Sequence, residues 1–188
     1  HADGSTVWKQ RVFDPLDESG SILVGDIDGD GFGEVYVTTY IIEADGFAYT
    51  RLYGFDHEGR LLEDAGFPRV ALGSPTANSP LIADVDGDGA EDLLFAPGGE
   101  PMMAWSADGS VTPGFPMLDL AADYEVTPAI ADLDSDGDLE LMIAAYDYRF
   151  HVLDLPSPAV PELIDWGVAR QDAQNSGWLK PAPQIDSV

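Results

Sequence analysis

The sequence predicts an all-β chain made of repeats of one four-stranded unit, and three observations carry that expectation. An acidic loop of a single design occurs three times. Short apolar runs of strand type flank each copy, and no segment offers a convincing helical period. A second landmark, a Gly-containing turn followed by a Gly-Phe-Pro phrase, keeps step with the loops.

The clearest loop is Asp84-Val85-Asp86-Gly87-Asp88-Gly89-Ala90-Glu91-Asp92, with carboxylates at positions 1, 3, 5 and 9 and glycine at position 6. Oxygen donors at that spacing, with a sharp turn at 6, suit a hard cation. The pattern recurs as Asp26, Asp28, Asp30, Gly31 and Glu34, and as Asp132, Asp134, Asp136, Gly137 and Glu140. Without a cation, four crowded carboxylates would repel one another in every loop, so calcium is expected in all three.

Taken in order, Asp3-Gly4-Ser5 and Thr6 to Phe13 read as a turn and a strand. Glu58-Gly59-Arg60 and Asp108-Gly109-Ser110 are the corresponding later turns, followed by Gly66-Phe67-Pro68 and Gly114-Phe115-Pro116. From turn to loop, Gly4 to Asp26 is 22 residues, Gly59 to Asp84 is 25 and Gly109 to Asp132 is 23. Each loop is expected to join two strands, as between Leu81-Ile82-Ala83 and Leu93-Leu94-Phe95-Ala96. A third strand is expected at Arg51–Phe55, Pro101–Trp105 and Arg149–Leu153, and a fourth from each Gly-Phe-Pro phrase. Four strands per repeat of 58 or 48 residues fit β-propeller blades. The expected divisions are residues 1–20, the outer strand of a preceding blade; 21–73, 74–122 and 123–166, three blades; and 167–188, a closing segment and tail. After Pro156-Ser157-Pro158 the sequence departs from the repeat.

Charge and composition narrow the function. With 35 acidic against 8 basic residues the net charge is −27, which argues against nucleic acid and anionic lipid as partners. The three loops hold 14 of the acids, so most of the acidity belongs to a solvated surface. Hydrophobic residues make up 45% of the 188, enough for one folded unit, and there is no cysteine to staple it. No run of about 18 apolar residues suggests membrane insertion. The opening His1-Ala2-Asp3-Gly4 is not a basic and apolar leader, so an exported protein would be represented here by its processed part or a fragment.

The loops Asp26–Glu34, Asp84–Asp92 and Asp132–Glu140, each after a short apolar strand, resemble the FG-GAP or VCBS repeats of integrin-alpha-like calcium-binding β-propellers. The resemblance covers roughly residues 20–155. It implies one calcium per loop, held by side chains at positions 1, 3, 5 and 9 and the carbonyl at 7. Those are Asp26, Asp28, Asp30, Phe32 and Glu34; Asp84, Asp86, Asp88, Ala90 and Asp92; and Asp132, Asp134, Asp136, Asp138 and Glu140. Glutamate at position 9 of the first and third loops departs from the family pattern. Trp166 with Arg170, Asp172, Ser176 and Gly177 looks like the closing segment of secreted bacterial propellers. The resemblance further implies an extracellular location and an adhesive, assembly or accessory role.

Rival chemistries fare worse on the residues. An EF-hand requires a carboxylate at position 12, where this chain has Val37, Phe95 and Ile143. His57-Glu58 lacks the second histidine of a zinc-protease helix, Leu61 standing in its place, and there is no Gly-x-Ser-x-Gly elbow. No catalytic residue is assigned. Calcium sites of extracellular modules bind at about 10⁻⁴–10⁻³ M. At about tenfold excess each adds about 1.4 kcal/mol to the folded state, or about 4 kcal/mol for three. Closed propellers have about 4–8 blades, so three blades and part of a fourth are expected to pair with other copies, as a ring or filament, or with further blades. The alternative is a carbohydrate-binding or accessory domain of a polysaccharide-degrading enzyme, with Tyr53, Trp105, Tyr146, Tyr148 or Trp166 offering a sugar shelf, although the same aromatics would serve as packing between blades.

Overall fold

A computed structural model describes residues 4–12, 18–42, 48–72, 78–117, 126–145 and 147–165. These residues are all-β apart from a 3₁₀ turn at Pro161–Leu163. Three antiparallel sheets follow one another along the chain. The first is a four-stranded meander, β1 (Glu18–Gly25), β2 (Glu34–Ile42), β3 (Ala48–Phe55) and β4 (Arg69–Leu72). The second contains β5 (Leu81–Ala83), β6 (Asp92–Phe95) and β7 (Met103–Trp105), and the third β8 (Ala129–Ala131), β9 (Asp138–Ala145) and β10 (Arg149–Pro158). This is the architecture of β-propeller blades in series.

The four-strand expectation is met in full by the first sheet. In the second, the fourth position is reduced to isolated bridges, Trp105 to Val111 and Met102 to Met117. The third sheet has three strands among the described residues. Its last strand runs five residues beyond the expected Leu153, to Pro158, and the chain then leaves the sheet. The expected strand from Thr6 is absent over residues 6–12. Those residues instead dock by side chains: the Trp8 indole Nε1 donates to the His57 carbonyl at 3.1 Å, and Gln10 Nε2 donates to the Gly59 carbonyl at 2.7 Å. A β-carbon on Gly59 would lie 2.7 Å from the Trp8 ring, so only glycine admits this contact.

Burial alternates along much of β3, whereas β5 and β6 are buried on both faces. Leu23, Tyr36 and Leu52 from the first sheet join Leu81, Leu93 and Leu94 from the second and Leu139, Leu141 and Ile143 from the third in one apolar core. Polar contacts fix the seams. Arg69, just after the first Gly-Phe-Pro phrase, donates to the carbonyls of Ala65 and Gly109 at 2.7 Å each, and its guanidinium lies 4.4 Å over the Trp105 ring. Ser79 N donates to Thr127 Oγ1 at 2.8 Å between the second and third sheets. All three acidic loops therefore occur in the same place, the hairpin from the first to the second strand of a sheet.

Candidate metal centres

Each loop folds by satisfying its own backbone donors with carboxylates. At position 1, Asp26 Oδ2 accepts from Gly31 N and Asp84 Oδ2 from Gly89 N, both at 3.0 Å. Asp132 Oδ1 accepts from Ser135 N at 2.7 Å, as Asp84 Oδ1 does from Gly87 N. At position 3, Asp28, Asp86 and Asp134 each accept from the amide two residues on, at 3.0, 3.1 and 3.2 Å. At position 5, Asp30, Asp88 and Asp136 do the same for the N–H of Phe32, Ala90 and Asp138, at 2.8, 2.8 and 3.0 Å. The position 9 carboxylate turns back to the position 2 amide: Glu34 to Ile27, Asp92 to Val85 and Glu140 to Leu133. Such local side-chain to backbone bonds give the turns their shape. Positions 4 and 6 have positive φ in every loop, with glycine at five of the six and Ser135, at φ 66°, at the other.

The oxygens so arranged converge. Ligating atoms of Asp26, Asp28 and Glu34 lie within 4.8 Å of one another, as do those of Asp84, Asp86 and Asp92, and of Asp132, Asp134 and Asp136. Position 9 thus joins the cluster in the first two loops, while position 5 takes that place in the third. Asp30, Asp88 and Glu140 fall outside these triplets, and Phe32, Ala90 and Asp138 occupy position 7 with their N–H groups already bonded to position 5. Trp166, Arg170, Asp172, Ser176 and Gly177 fall outside the described residues.

Electrostatics supply a test of fit. Burial pushes the Glu34 carboxyl up to about 7, with Asp28 adding repulsion. Burial likewise raises Asp26, Asp86 and Asp92 above the usual carboxylate range. Asp26 Oδ1 is buried and has no hydrogen-bond partner within the protein. Converging, desolvated carboxylates in the first two loops, with an unsatisfied buried oxygen in the first, are what a hard divalent cation would neutralise, and the exposed third cluster offers the same type of donors, so the clusters fit a metal ion.

Several contributors were not visible in the motif. Asp92 Oδ1 accepts from the hydroxyls of Ser106 at 3.0 Å and Thr112 at 2.8 Å, which hold the second loop from the far side of its sheet. Glu91 is buried and accepts from Asp165 N at 3.0 Å. Phe32 stacks on His57 with ring centroids 4.3 Å apart, tying the first loop to the turn after β3. Of the proposed sugar shelf, Trp105 is buried under Arg69. A small cavity of about 50 Å³ beside it, lined by Thr50, Phe95 and Met103 among others, is far below the roughly 300–1,000 Å³ of ligand pockets. Among the described residues no helix is long and apolar enough to cross a membrane.

The model of the FG-GAP-like repeat family matches residues 84–143, from the first aspartate of the second loop to the middle of β9. No curated protein and no solved structure matches the chain. Loop chemistry, hairpin placement and family match agree: residues 84–143 match the FG-GAP-like repeat, within a chain whose described sheets are compatible with a series of β-propeller-type blades.

Proposed function

We propose that the chain is a non-enzymatic, calcium-stabilised extracellular module with a structural or adhesive role, which associates with copies of itself or with further blades. One observation carries this reading: three carboxylate clusters recur at the same hairpin of three successive sheets that share one core. The loops spend their oxygens on turning the chain and gathering around one point, which suits a staple better than a substrate site. Extracellular calcium, at millimolar levels, would fill sites whose constants lie at about 10⁻⁴–10⁻³ M. Self-association is supported by apolar side chains left exposed on the last strand of the third sheet, Phe150 at 65% and Val152 at 45%.

Particle size by scattering and negative-stain microscopy, with calcium and then with excess chelator, tests the assembly. Rings or filaments that dissolve on chelation are expected; a folded monomer in both conditions would remove self-association. The alternative accessory role predicts saccharide selectivity on a glycan array. Among the described shelf residues only Tyr148, 95% exposed, still presents an open ring.

A further inference from the structure

The end of β10 and the residues that follow it touch the acidic loops of all three repeats. In the third, Ala159 N donates to the Gly137 carbonyl at 2.8 Å. In the second, the buried Ser157 hydroxyl donates to the Asp84 carbonyl at 2.8 Å, and Asp84 N donates to the Leu163 carbonyl at 3.0 Å. Then Asp165 bridges onward: its N–H donates to Glu91, and its Oδ2 accepts from Asp26 N, in the first loop, at 3.2 Å. The fit is close at the backbone, since a β-carbon on Gly87 would lie 2.3 Å from the Pro156 carbonyl oxygen.

We propose that residues 156–165 form a clasp that couples the three cation loops, with Asp165 the positioning residue of the first and Ser157 of the second. This presupposes the cation sites proposed above. The clasp holds the position 1 residue of two loops by its main chain, Asp26 through N–H and Asp84 through both N–H and C=O. Position 1 is where each loop's donor set begins. Ordering the clasp on one loaded loop therefore orders part of the next, and the cation entering there meets a preformed site. By linkage the effect is reciprocal, so emptying one loop weakens the others. Asp165 acts through a hydrogen bond to the main chain of Asp26, so an amide oxygen in its place serves equally.

The test combines calcium titration with hydrogen exchange on the full chain, for wild type, Asp165→Ala, Asp165→Asn and Ser157→Ala. Calcium is expected to protect residues 156–165 and the loops over one concentration range. Asp165→Ala raises exchange of the first-loop amides, and weakens calcium there, about fivefold, the size of one ordinary hydrogen bond. The third loop stays within about twofold, and so does Asp165→Asn at the first loop, on the same hydrogen-bond scale. Equal losses in both Asp165 variants would overturn the positioning role, and unchanged first-loop exchange in both would overturn the clasp. Absence of calcium binding in wild type would instead remove the cation sites, and exchange without calcium would then decide the clasp alone. If Asp165→Ala does not fold, Ser157→Ala carries the same comparison at the second loop.

Discussion

The second and third loops have the same acidic spacing, yet they are different sites. Asp84 and Asp92 are almost fully buried, at 1% and 3%, and both ends of the second loop are held: Asp92 by Ser106 and Thr112 from its own sheet, and Asp84 by Ser157 and Leu163 from the clasp. In the third loop Asp134 and Asp136 are exposed, and the clasp reaches it through main chain alone, by Ala159 to the Gly137 carbonyl and by the pairing of Pro158 with Asp138. Position 9 shows the same contrast: Asp92 accepts from two hydroxyls and an amide, whereas Glu140 accepts from the Leu133 amide. A shared motif sets which oxygens are available. Neighbours decide how desolvated, and how fixed, those oxygens are.

Several changes would break or sharpen this contrast. The largest effect is expected from removing the cation from all loops at once, about 4 kcal/mol of stability at tenfold calcium excess over the binding constant. Next comes Asp92→Ala, which strands two hydroxyls and an amide in a buried site and should cost about 3 kcal/mol, against about 1 kcal/mol for Glu140→Ala. Urea unfolding in excess chelator reads this difference without the metal. Gly87→Ala should cost about 2 kcal/mol or more, because strained φ is joined by collision with the clasp. Its counterpart Gly29→Ala has open space around the new methyl and should cost about 1 kcal/mol, so the pair isolates the clasp contact.

The pH dependence follows from the first loop. Without cation, Glu34 in the folded chain holds its proton up to about 7, whereas an unfolded glutamate releases it near its ordinary value. Stability from the protonated form is thus complete below about 4.3 and is lost as pH rises through 7. The cation-free melting midpoint should fall from pH 5 to pH 8, and the upward shift produced by calcium should grow over the same window. The smallest effect belongs to the exposed loop: Ser135→Gly relieves a positive φ and should stabilise by about 0.5–1 kcal/mol, measured by thermal unfolding in chelator.

Much of this could be read in the sequence because it is periodic. The carboxylate spacing located three hairpins, and the apolar runs beside them gave β5, β6 and their counterparts within a few residues. The Gly-Phe-Pro phrase marked the start of β4, although in the second sheet the same phrase yields only a bridge at Met117. What stayed hidden has no period. Each clasp bond has a main-chain carbonyl or amide, which any residue supplies, on at least one side, and those to the first two loops join positions 73 to 139 residues apart. Pro156-Ser157-Pro158 signalled only that the repeat had ended. Ser106 and Thr112 gain their role from β7 folding back behind the second loop, a tertiary fact that neither residue type announces. Thr6 to Phe13 read as a strand from composition, but over the described residues 6–12 Trp8 and Gln10 bond to the turn at His57 and Gly59 instead of to a neighbouring strand.

The central claim is that the acidic loops are cation staples for the repeats. Thermal unfolding of one sample, first in millimolar calcium and then in excess chelator, tests it most directly. A single cooperative transition whose midpoint drops by about 10 °C on chelation is predicted, as about 4 kcal/mol implies for a chain of this size. An unchanged midpoint would mean that the sheets hold together without metal and that the carboxylates serve only to turn the chain.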